Sequence, residues 1–364
     1  MNESAGIRVQ PGAANYFSYE GALGEIERFF PAEQLGQVLW IGGRRALEAA
    51  APYLPALYRD EARSLRRVLS GHCSESVVAG YVAEGAQADL VIGVGGGSVL
   101  DTAKAVAHRL RRPFVAVPTI AATCAAWTPL SVWYDDDGRA LGYELFPLAS
   151  QLVLVEPRIL AAAPPEYLRA GIGDTLAKWY EARVLCANES ALPLTASIGL
   201  SVAAQIRDVL LADGASALAD NADGKVTPGL VRVVDDVIAG CGLVGGLGER
   251  FTRLAAAHSI HNGLTVVAGT ERFLHGAKVA YGILVQLALE KRQDELLNLH
   301  RALGSLGLPR RLSDVGVDPH DENGIAAFVA HTLRAQESIH FLPGTVDAER
   351  LCAALFAVET LPAG

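Results

Sequence analysis

Four side chains after residue 164 have the types and spacing of a metal site: Asp174 in GIGDTLAKWYEA, His258 and His261 in AAAHSIHNGLT, and His275 in RFLHGAKVAYG. His258 and His261 are three residues apart and share one helix face, and His275 follows 17 residues after His258 (275 − 258 = 17). One carboxylate and two imidazoles suit a borderline divalent metal and leave a coordination position for a substrate oxygen. Taken singly, Asp174, expected on the opening turn of its helix, also suits an N-cap, and each histidine suits a hydrogen-bonded core position.

A second candidate site follows the apolar run ADLVIGV, where Gly95, Gly96, Gly97 and Ser98 precede a helical pattern. Glycines let the backbone approach an anion closely, and a helix N-terminus adds unpaired N–H groups and a positive dipole end. The pattern indicates a diphosphate site, although an ordinary tight strand-to-helix turn has similar local sequence. The spacing is not GxGxxG, so the usual dinucleotide fingerprint does not apply.

These glycines belong to a region in which short apolar runs alternate with helical patterns. Strands are predicted at residues 37–41, 88–94 and 113–117, and helices at residues 44–58, 74–84 and 98–109. This order is typical of a Rossmann-like α/β fold, a parallel sheet with helices on both faces. A hairpin is expected next, from LSVWY, the turn DDDG and RALGYELF, followed by the strand QLVLVEP.

After Pro164 and Pro165 the sequence predicts only helices, at residues 165–184, 192–211, 229–242, 253–263 and 276–298. The polar stretch at residues 213–227 is predicted to be a surface loop. We therefore expect a dinucleotide-binding α/β domain at residues 1–164 and a helical metal- and substrate-binding domain at residues 165–364.

Composition narrows the class of partner. The net charge is −9 and the pI is about 5.5, which argues against a general attraction to nucleic acid or anionic lipid. Five scattered cysteines without a CxxC pair and an N-terminus without a basic start favour a reduced cytoplasmic protein. The uncharged stretch at residues 114–134 contains Pro118 and Pro129, which favours a buried strand and a ligand-lining loop over a membrane helix. Small molecules are the expected partners.

Two longer strings resemble a known family. GGGSVLDTAK resembles the GGGSxxDxAK signature of iron-containing alcohol dehydrogenases, and VPTIAATCAAWTPLSVWY is similar to the corresponding segment of glycerol dehydrogenases. The resemblance runs from the first strand to HFLPG near residue 344 and implies a dehydroquinate synthase-like architecture, NAD(P)-dependent oxidoreduction and, we expect, a homo-oligomer. It implies that the cofactor is bound by Gly95, Gly96, Gly97, Ser98, Thr119, Thr123, Thr128, Leu130 and Tyr134.

The same resemblance assigns the metal ligands to Asp174, His258 and His275, and leaves His261 either as a residue that supports a ligand or as a proton carrier. Iron-binding members have a histidine ligand four residues after the aspartate, where this chain, like glycerol dehydrogenases, has Lys178. A protonated ammonium cannot ligate a metal, so three protein ligands are expected, which favours Zn²⁺ and leaves Fe²⁺ and Mn²⁺ open. His261 and Lys178 are the candidate catalytic residues.

Cofactor preference depends on the residues after the strand VLWI. Gly43, Arg44 and Arg45 stand there, where NAD-using relatives have Gly-Asp. A carboxylate accepts the ribose hydroxyls of NAD, whereas a guanidinium meets the 2′-phosphate of NADP. The substitution predicts NADP(H), with NAD as the alternative if the arginines are ordinary solvated charges.

Substrate preference depends on three further departures. Cys124 replaces an aspartate that binds the polyol in glycerol dehydrogenases, and Arg250 and Arg253 are potential carboxylate clamps or ordinary salt-bridge partners. Together they resemble the bacterial hydroxycarboxylate dehydrogenases, which reduce 2-oxo acids. The alternatives are an NAD-dependent polyol dehydrogenase, a dehydroquinate synthase-like lyase and a non-catalytic cofactor-binding protein.

Overall fold

A six-stranded, all-parallel sheet forms the core of one part of the chain. The computed structural model describes residues 7–362. The sheet order is β1-β8-β5-β4-β2-β3, where the strands are β1 (Asn15–Ser18), β2 (Val38–Gly42), β3 (Ser64–Val68), β4 (Leu90–Gly95), β5 (Phe114–Pro118) and β8 (Leu152–Val155). This arrangement confirms the predicted α/β fold class.

The central strands were predictable because they are buried on both faces. Every residue of β2, β4, β5 and β8 is buried, which explains their continuous apolar sequences. The two edge strands were missed by the sequence analysis. β3 has the sequence SLRRV and alternates in burial, and β1 is only half-buried, so neither contains an apolar run.

The antiparallel hairpin is confirmed. β6 (Leu130–Tyr134) pairs with β7 (Ala140–Leu145) in a separate two-stranded sheet. The uncharged stretch at residues 114–134 therefore consists of β5, a loop and β6, as expected, and contains no membrane-length helix.

Five helices accompany the sheet: α1 (Glu25–Phe29), α2 (Arg44–Ala50), α3 (Glu75–Glu84), α4 (Gly97–Leu110) and α5 (Pro157–Ala161). The prediction of one helix over residues 44–58 is wrong, because α2 ends at Ala50 and a short 3-10 helix occupies Ala56–Arg59. Pro55 precedes that turn, and a proline disfavours helical backbone at the residue before it.

The rest of the described chain is helical: α6 (Pro165–Ala187), α7 (Leu194–Ala222), α8 (Pro228–Asp235), α9 (Cys241–Gly248), α10 (Ala256–Leu264), α11 (His275–Leu289), α12 (Gln293–Ser305), α13 (Glu322–Thr332) and α14 (Ala348–Glu359). A π-helical turn, Asp236–Gly240, joins α8 to α9. The helix predicted at residues 276–298 is in fact α11 and α12, separated by a turn in which Lys291 has a φ of 59°.

Two other sequence predictions in this region are wrong. The expected loop at residues 213–227 is helical as far as Ala222, because its polar residues are spaced along an alanine-rich helix. Asp174 lies in the middle of α6 and not on an opening turn, since α6 begins at Pro165. Asp174 is therefore not an N-cap, and another function must explain its burial.

Contacts divide the chain into two compact units. The α/β unit combines Gln10–Pro164 with Ala219–Gly242, and the helical unit consists mainly of Pro165–Leu218 and the chain from Leu243 onward. Side chains explain why Ala219–Gly242 belongs with the sheet. Asn221 donates to the carbonyls of Leu160, Ala161 and Ala163 at the end of α5, and Tyr16 on β1 donates to Asp235 at 2.6 Å.

Helix α7 is the one helix among residues 7–362 that is long and apolar enough to cross a membrane by composition, with a mean hydropathy of 1.3. Arg207 lies within it, its guanidinium carbon 4.4 Å from the ring centroid of Trp179 on α6. Asn221, near its end, caps α5. These contacts integrate α7 into the fold.

Candidate functional site

Three helices of the helical unit bring the predicted metal ligands together. Asp174 lies on α6, His258 on α10, and His275 is the first residue of α11. Glycines make the close approach of α6 and α11 possible. A methyl group on Gly276 would overlap the backbone carbonyl of Ala170, and one on Gly173 would lie 2.5 Å from the carbonyl oxygen of Gly276. Backbone-to-backbone packing thus places Asp174 beside His275.

The donor atoms of these three residues converge on one point. Asp174 Oδ1 lies 3.4 Å from Nε2 of His258 and 3.4 Å from Nε2 of His275, and one donor atom of each residue lies within 4.8 Å of the others. Asp174 and His258 are buried, whereas the His275 side chain is 43% exposed. Asp174 Oδ1 is buried and accepts no well-oriented hydrogen bond. A divalent cation satisfies this oxygen and both nitrogens at once, so the donor set fits a metal.

Glu181 supports His258 and was missed by the sequence analysis. Its fully buried carboxylate accepts from His258 Nδ1 at 2.7 Å and from the backbone N–H groups of Ala255 at 2.8 Å and His258 at 3.1 Å. A carboxylate on the second ring nitrogen orients a metal-binding histidine. The available sequence signal was the spacing, since Glu181 is seven residues after Asp174 (181 − 174 = 7) and lies on the same face of α6.

The charges around the cluster shift the pKa values of two of the ligands in the metal-free protein. Burial raises the pKa of Asp174, but the two neighbouring imidazoles and Lys178 outweigh burial and hold it well below its usual range. Burial lowers the pKa of His258, but Glu181 and Asp174 outweigh burial and raise it to about 9. Asp174 is therefore ionised at neutral pH, and a metal must displace a proton from His258.

His261 and Lys178 both lie close to the three ligands. His261 Nε2 is 3.0 Å from Nδ1 of His275, so His261 contacts a ligand without belonging to the triad. Burial and the neighbouring histidines lower the pKa of His261 well below its usual value, which keeps it neutral. Lys178 is half-buried one turn after Asp174 and lowers the pKa of both Asp174 and Glu181.

In the α/β unit the glycine segment, which consists of Gly95, Gly96 and Gly97, joins β4 to α4. Gly95 ends β4, Gly96 precedes α4 in extended backbone, and no side chain caps the first turn of α4. A Cβ at Gly96 would lie 2.6 Å from Ile120 Cδ1, and one at Gly95 would lie 2.8 Å from Val99 Cβ. Ser98 is exposed. Bare backbone and uncapped N–H groups at a helix start fit the diphosphate of a dinucleotide.

Asp101 and Lys104 give the rest of the GGGSVLDTAK string a structural role. The Lys104 ammonium is buried and donates to the carbonyls of Ala125 at 2.8 Å and Leu130 at 2.5 Å. Asp101 accepts from Lys104 at 3.4 Å and from Val132 N at 3.2 Å. Burial raises the pKa of Asp101 and lowers that of Lys104. Together they fasten residues 119–134, here called the tied segment, to α4.

The remaining predicted cofactor residues lie on this tied segment. Thr119 donates its backbone N–H to the carbonyl of Gly95 at 3.2 Å. A Cβ added to Gly97 would lie 3.6 Å from Thr123 Oγ1. Both threonines thus lie against the glycine segment. Further along, the carbonyl of Leu130 accepts from Lys104, and Thr128 donates its backbone N–H to the carbonyl of Cys124. Tyr134 is the last residue of β6, and the centroid of its ring lies 5.2 Å from that of His72.

Gly43, Arg44 and Arg45 lie at the same sheet edge as the glycine segment. β2 and β4 are parallel neighbours, with Gly42 paired to Val94, so the residues that follow each strand are adjacent. A Cβ on Gly43 would lie 3.8 Å from Val99 on α4, and both arginines are exposed on the first turn of α2.

The three predicted substrate residues are not brought together by contacts within either unit. Cys124 is half-buried on the tied segment of the α/β unit. Arg253 pairs with Glu249 at 2.9 Å, and the Arg250 guanidinium carbon lies 4.4 Å from the centroid of the Phe251 ring. The carbonyl of Phe251 accepts from the thiol of Cys186 on α6. Cys186 is 12 residues after Asp174 (186 − 174 = 12), which is about 18 Å along the helix. Arg250 therefore lies at a distance from the three ligands.

Comparison with known proteins gives a consistent assignment. Residues 13–157 match the family model "Iron-containing alcohol dehydrogenase". The chain is 54% identical to hydroxycarboxylate dehydrogenase A of Escherichia coli (strain K12), over 98% of this chain and 99% of that protein. It is 36% identical to glycerol dehydrogenase of Thermotoga maritima, over 81% of each chain.

Solved structures agree with the sequence relatives. A probable glycerol dehydrogenase from Sinorhizobium meliloti 1021 superimposes with a TM-score of 0.85 at 28% identity, over 97% of this chain and 98% of that one. Glycerol dehydrogenase from Schizosaccharomyces pombe gives 0.86 at 27% identity, over 98% and 91%. These matches confirm the resemblance found in the sequence. The chain belongs to the iron-containing alcohol dehydrogenase family, on its glycerol dehydrogenase branch, and is an NAD(P)-dependent dehydrogenase homologous to hydroxycarboxylate dehydrogenase A.

Proposed function

We propose that the chain catalyses metal-dependent hydride transfer between NADP(H) and a small 2-oxo or 2-hydroxy acid. The observation that carries the proposal is the convergence of Asp174, His258 and His275 on one point, with a buried carboxylate oxygen that accepts no hydrogen bond. Three oxygen and nitrogen ligands with an open position are typical of catalytic zinc, so we propose Zn²⁺, with Fe²⁺ and Mn²⁺ as alternatives.

The bound metal would polarise the substrate oxygen, and the nicotinamide would exchange the hydride. Asp174, His258 and His275 would hold the ion, and Glu181 orients His258. His261, neutral and in contact with His275, is the proposed carrier of the substrate proton. Lys178 adds to the effect of the two imidazoles in holding the pKa of Asp174 below its usual range.

Chelation tests the metal requirement. Dialysis against a chelator should abolish 2-oxo acid reduction, and one equivalent of Zn²⁺ per chain should restore it. Fe²⁺ and Mn²⁺ are added to parallel samples to identify the metal that gives the highest activity. Full activity in protein shown to be metal-free would contradict the proposal.

The proposed preference for NADP(H) is supported by the exposed Arg44 and Arg45 and by the missing carboxylate at Gly43. We expect kcat/KM to be higher with NADPH than with NADH. Gly43→Asp should reverse the order, because a carboxylate repels the 2′-phosphate and accepts the ribose hydroxyls. Gly43→Ala is the matched control, since a Cβ fits there at 3.7 Å from Ala46 and 3.8 Å from Val99. A preference of the unmodified protein for NADH would contradict this part of the proposal.

The proposed 2-oxo acid substrate is supported by the similarity to hydroxycarboxylate dehydrogenase A and by Cys124, which lacks the negative charge of the aspartate it replaces. Cys124→Asp should lower kcat/KM for 2-oxobutanoate and 2-oxoglutarate. Cys352→Asp introduces the same charge on the exposed face of α14 and should have no effect. We retain Arg250 and Arg253 as candidate carboxylate clamps, to be tested by the same assay.

A polyol dehydrogenase that uses NAD is the second candidate function. It is supported by the 36% identity to glycerol dehydrogenase of Thermotoga maritima. Good turnover of glycerol with NAD, together with no reduction of 2-oxobutanoate or 2-oxoglutarate, would favour it over the hydroxycarboxylate assignment.

We further propose a cytoplasmic homo-oligomer that acts on small molecules and binds neither nucleic acid nor membranes. The acidic net charge of −9 supports the absence of polyanionic partners. Exposed apolar side chains along α7, including Leu194, Ile198 and Leu211, support association with further copies. Light scattering during size-exclusion chromatography measures the oligomeric state.

A further inference from the structure

A chain of hydrogen bonds leads from the metal ligand His275 to a buried carboxylate elsewhere in the helical unit. His275 Nδ1 lies 3.0 Å from His261 Nε2, and His261 Nδ1 lies 3.1 Å from Asn262 Oδ1. Asn262 Nδ2 donates to Glu337 Oε2 at 2.9 Å, and Arg334 donates to Glu337 Oε1 at 2.7 Å. Five side chains are therefore connected in series.

The chemistry of Glu337 fixes the direction of every bond in this chain. A carboxylate has no proton to donate, so the amide nitrogen of Asn262 must face it and the amide oxygen must face His261. His261 therefore donates from Nδ1, and its Nε2 is left as an acceptor when the ring is neutral. His275 must then donate from Nδ1, and in the neutral ring its lone pair is on Nε2.

That lone pair has the position a metal ligand requires. His275 Nε2 lies 3.4 Å from Asp174 Oδ1, on the side of the ring where the donor atoms converge. Once a metal has displaced its second proton, His258 has the same tautomer by a direct route, since Glu181 accepts from its Nδ1 at 2.7 Å and leaves its Nε2 for the metal. Both histidines are thus set to bind through Nε2.

We propose that Glu337 is a positioning residue for the metal, which acts through Asn262 and His261 to hold His275 in the tautomer with a free Nε2. The proposal rests on the proposed function, because it requires a metal at the Asp174 cluster. Glu337 is suited to this task because it is 6% exposed and its neighbours are fixed to α10. Ile339 N donates to Ser259 at 2.9 Å, and Ser338 donates to the carbonyl of Ala255 at 2.6 Å.

Glu337→Gln should reverse the direction of the hydrogen bonds that lead from residue 337 to His275. The single carbonyl oxygen of glutamine is taken by Arg334, so its NH₂ group faces residue 262. Asn262 then turns its oxygen toward Gln and its NH₂ toward His261, which must accept at Nδ1 and donate from Nε2. His275 is left with its proton on Nε2, where the metal binds. We expect the zinc affinity of the metal-free full chain to fall about tenfold, at the lower end of the effect of an outer partner.

A second substitution provides the rescue. In the double variant Asn262→Asp, Glu337→Gln, the aspartate accepts both from the glutamine NH₂ and from His261 Nδ1, so the original direction returns. Zinc affinity, measured by competition with a chromogenic chelator, should recover to within about twofold of the unmodified chain. Glu359→Gln is the matched control, because Glu359 also accepts from a side chain, Tyr281 at 3.0 Å, and is not hydrogen-bonded to a histidine.

Histidine ¹⁵N NMR of the metal-free protein reads the tautomers directly, whether or not a variant has altered stability. We expect protonated Nδ1 on His261 and His275 in the unmodified chain, protonated Nε2 in Glu337→Gln, and protonated Nδ1 again in the double variant. Unchanged zinc affinity in Glu337→Gln, or no recovery in the double variant, overturns the role of Glu337. Failure of the unmodified chain to bind zinc, iron or manganese overturns instead the proposed function.

Discussion

At the scale of single residues, Glu181 has two opposite effects on metal binding. It fixes His258 with Nε2 toward Asp174, which favours coordination, because the second ring nitrogen of a ligand needs such a partner. It also raises the pKa of His258 to about 9, so that the metal competes with a proton in the neutral range. The balance between the two effects depends on pH.

The first prediction concerns this pH dependence. His258 is protonated below about pH 9 in the metal-free protein, and only the deprotonated ring binds metal, so affinity must rise with pH. Between pH 6 and 8 we expect the apparent zinc affinity to increase about tenfold per unit. Asp174 adds no dependence there, since its pKa is held well below its usual value. Competition titrations at several pH values measure the slope.

Glu181→Gln is the informative variant for the same measurement. Removal of the carboxylate charge lowers the pKa of His258, so the affinity should level off at a lower pH than in the unmodified protein. A zinc affinity that is independent of pH between 6 and 8 in the unmodified protein would contradict the assigned protonation of His258.

At the scale of secondary-structure elements, the metal ligands depend on helices that touch through their backbones. Gly276 and Gly173 bring α11 against α6, and Gly282 brings α11 against the carbonyl of Ala257 on α10. Each glycine sits next to, or one to two turns from, a ligand-bearing position. The spacing of the ligands is therefore controlled by residues that bear no functional group.

The second prediction follows from this packing. Gly276→Ala places a methyl group on the carbonyl of Ala170, so the protein should lose about 1–3 kcal/mol of stability and bind zinc more weakly. Gly245→Ala on α9 meets no atom within 4 Å and should be neutral or stabilising by up to about 1 kcal/mol. Urea unfolding and zinc titration of both variants test this. Equal stability and affinity of the two variants would show that the close contact is unimportant.

The third prediction concerns the C-terminal end of α4. Arg111 has left-handed backbone with a φ of 57°, a conformation that costs a non-glycine residue about 1–2 kcal/mol. Arg111→Gly should stabilise the protein by up to about 1 kcal/mol after the added chain entropy of glycine is deducted. Arg112→Gly removes the same charge without relieving strain and should not stabilise. A urea midpoint for Arg111→Gly below that of Arg112→Gly would refute the strain argument.

At the scale of the whole molecule, the proposed metal ion and the proposed dinucleotide are assigned to different compact units. The metal cluster lies in the helical unit and the glycine segment in the α/β unit. A ligand that binds only the folded protein stabilises it, by about 2.7 kcal/mol at 100 times its dissociation constant. Each ligand should therefore shift the unfolding temperature through its own set of residues.

The fourth prediction uses this separation. Asp174→Asn should abolish the thermal shift caused by Zn²⁺ and retain the shift caused by NADPH. Gly96→Val, whose side chain collides with Ile120, should lose the NADPH shift and retain the Zn²⁺ shift. Differential scanning fluorimetry measures both, and each variant is the folding control of the other. If either substitution abolished both shifts, the assignment of the ligands to separate residues would fail.

Local sequence was sufficient for several features of this protein. The continuous apolar runs of β2, β4, β5 and β8 predicted the centre of the sheet, because burial on both faces requires them. The glycine string indicated an anion site and the acid and imidazole residues a metal site, because their chemistry depends on residue type. Comparison with a family motif was nevertheless needed to select the three ligands.

Only the tertiary structure revealed the hydrogen-bond partners that orient the metal-binding side chains. Glu181 is 77 residues from His258, and Glu337 is 75 residues from Asn262, so no local pattern connects them. The glycines between α6 and α11 were not recognised as contacts, and the expected loop at residues 213–227 is largely helix. Residue types thus determine which chemistry is available, whereas the folded backbone decides which nitrogen faces the metal, because hydrogen-bond direction depends on neighbours in space.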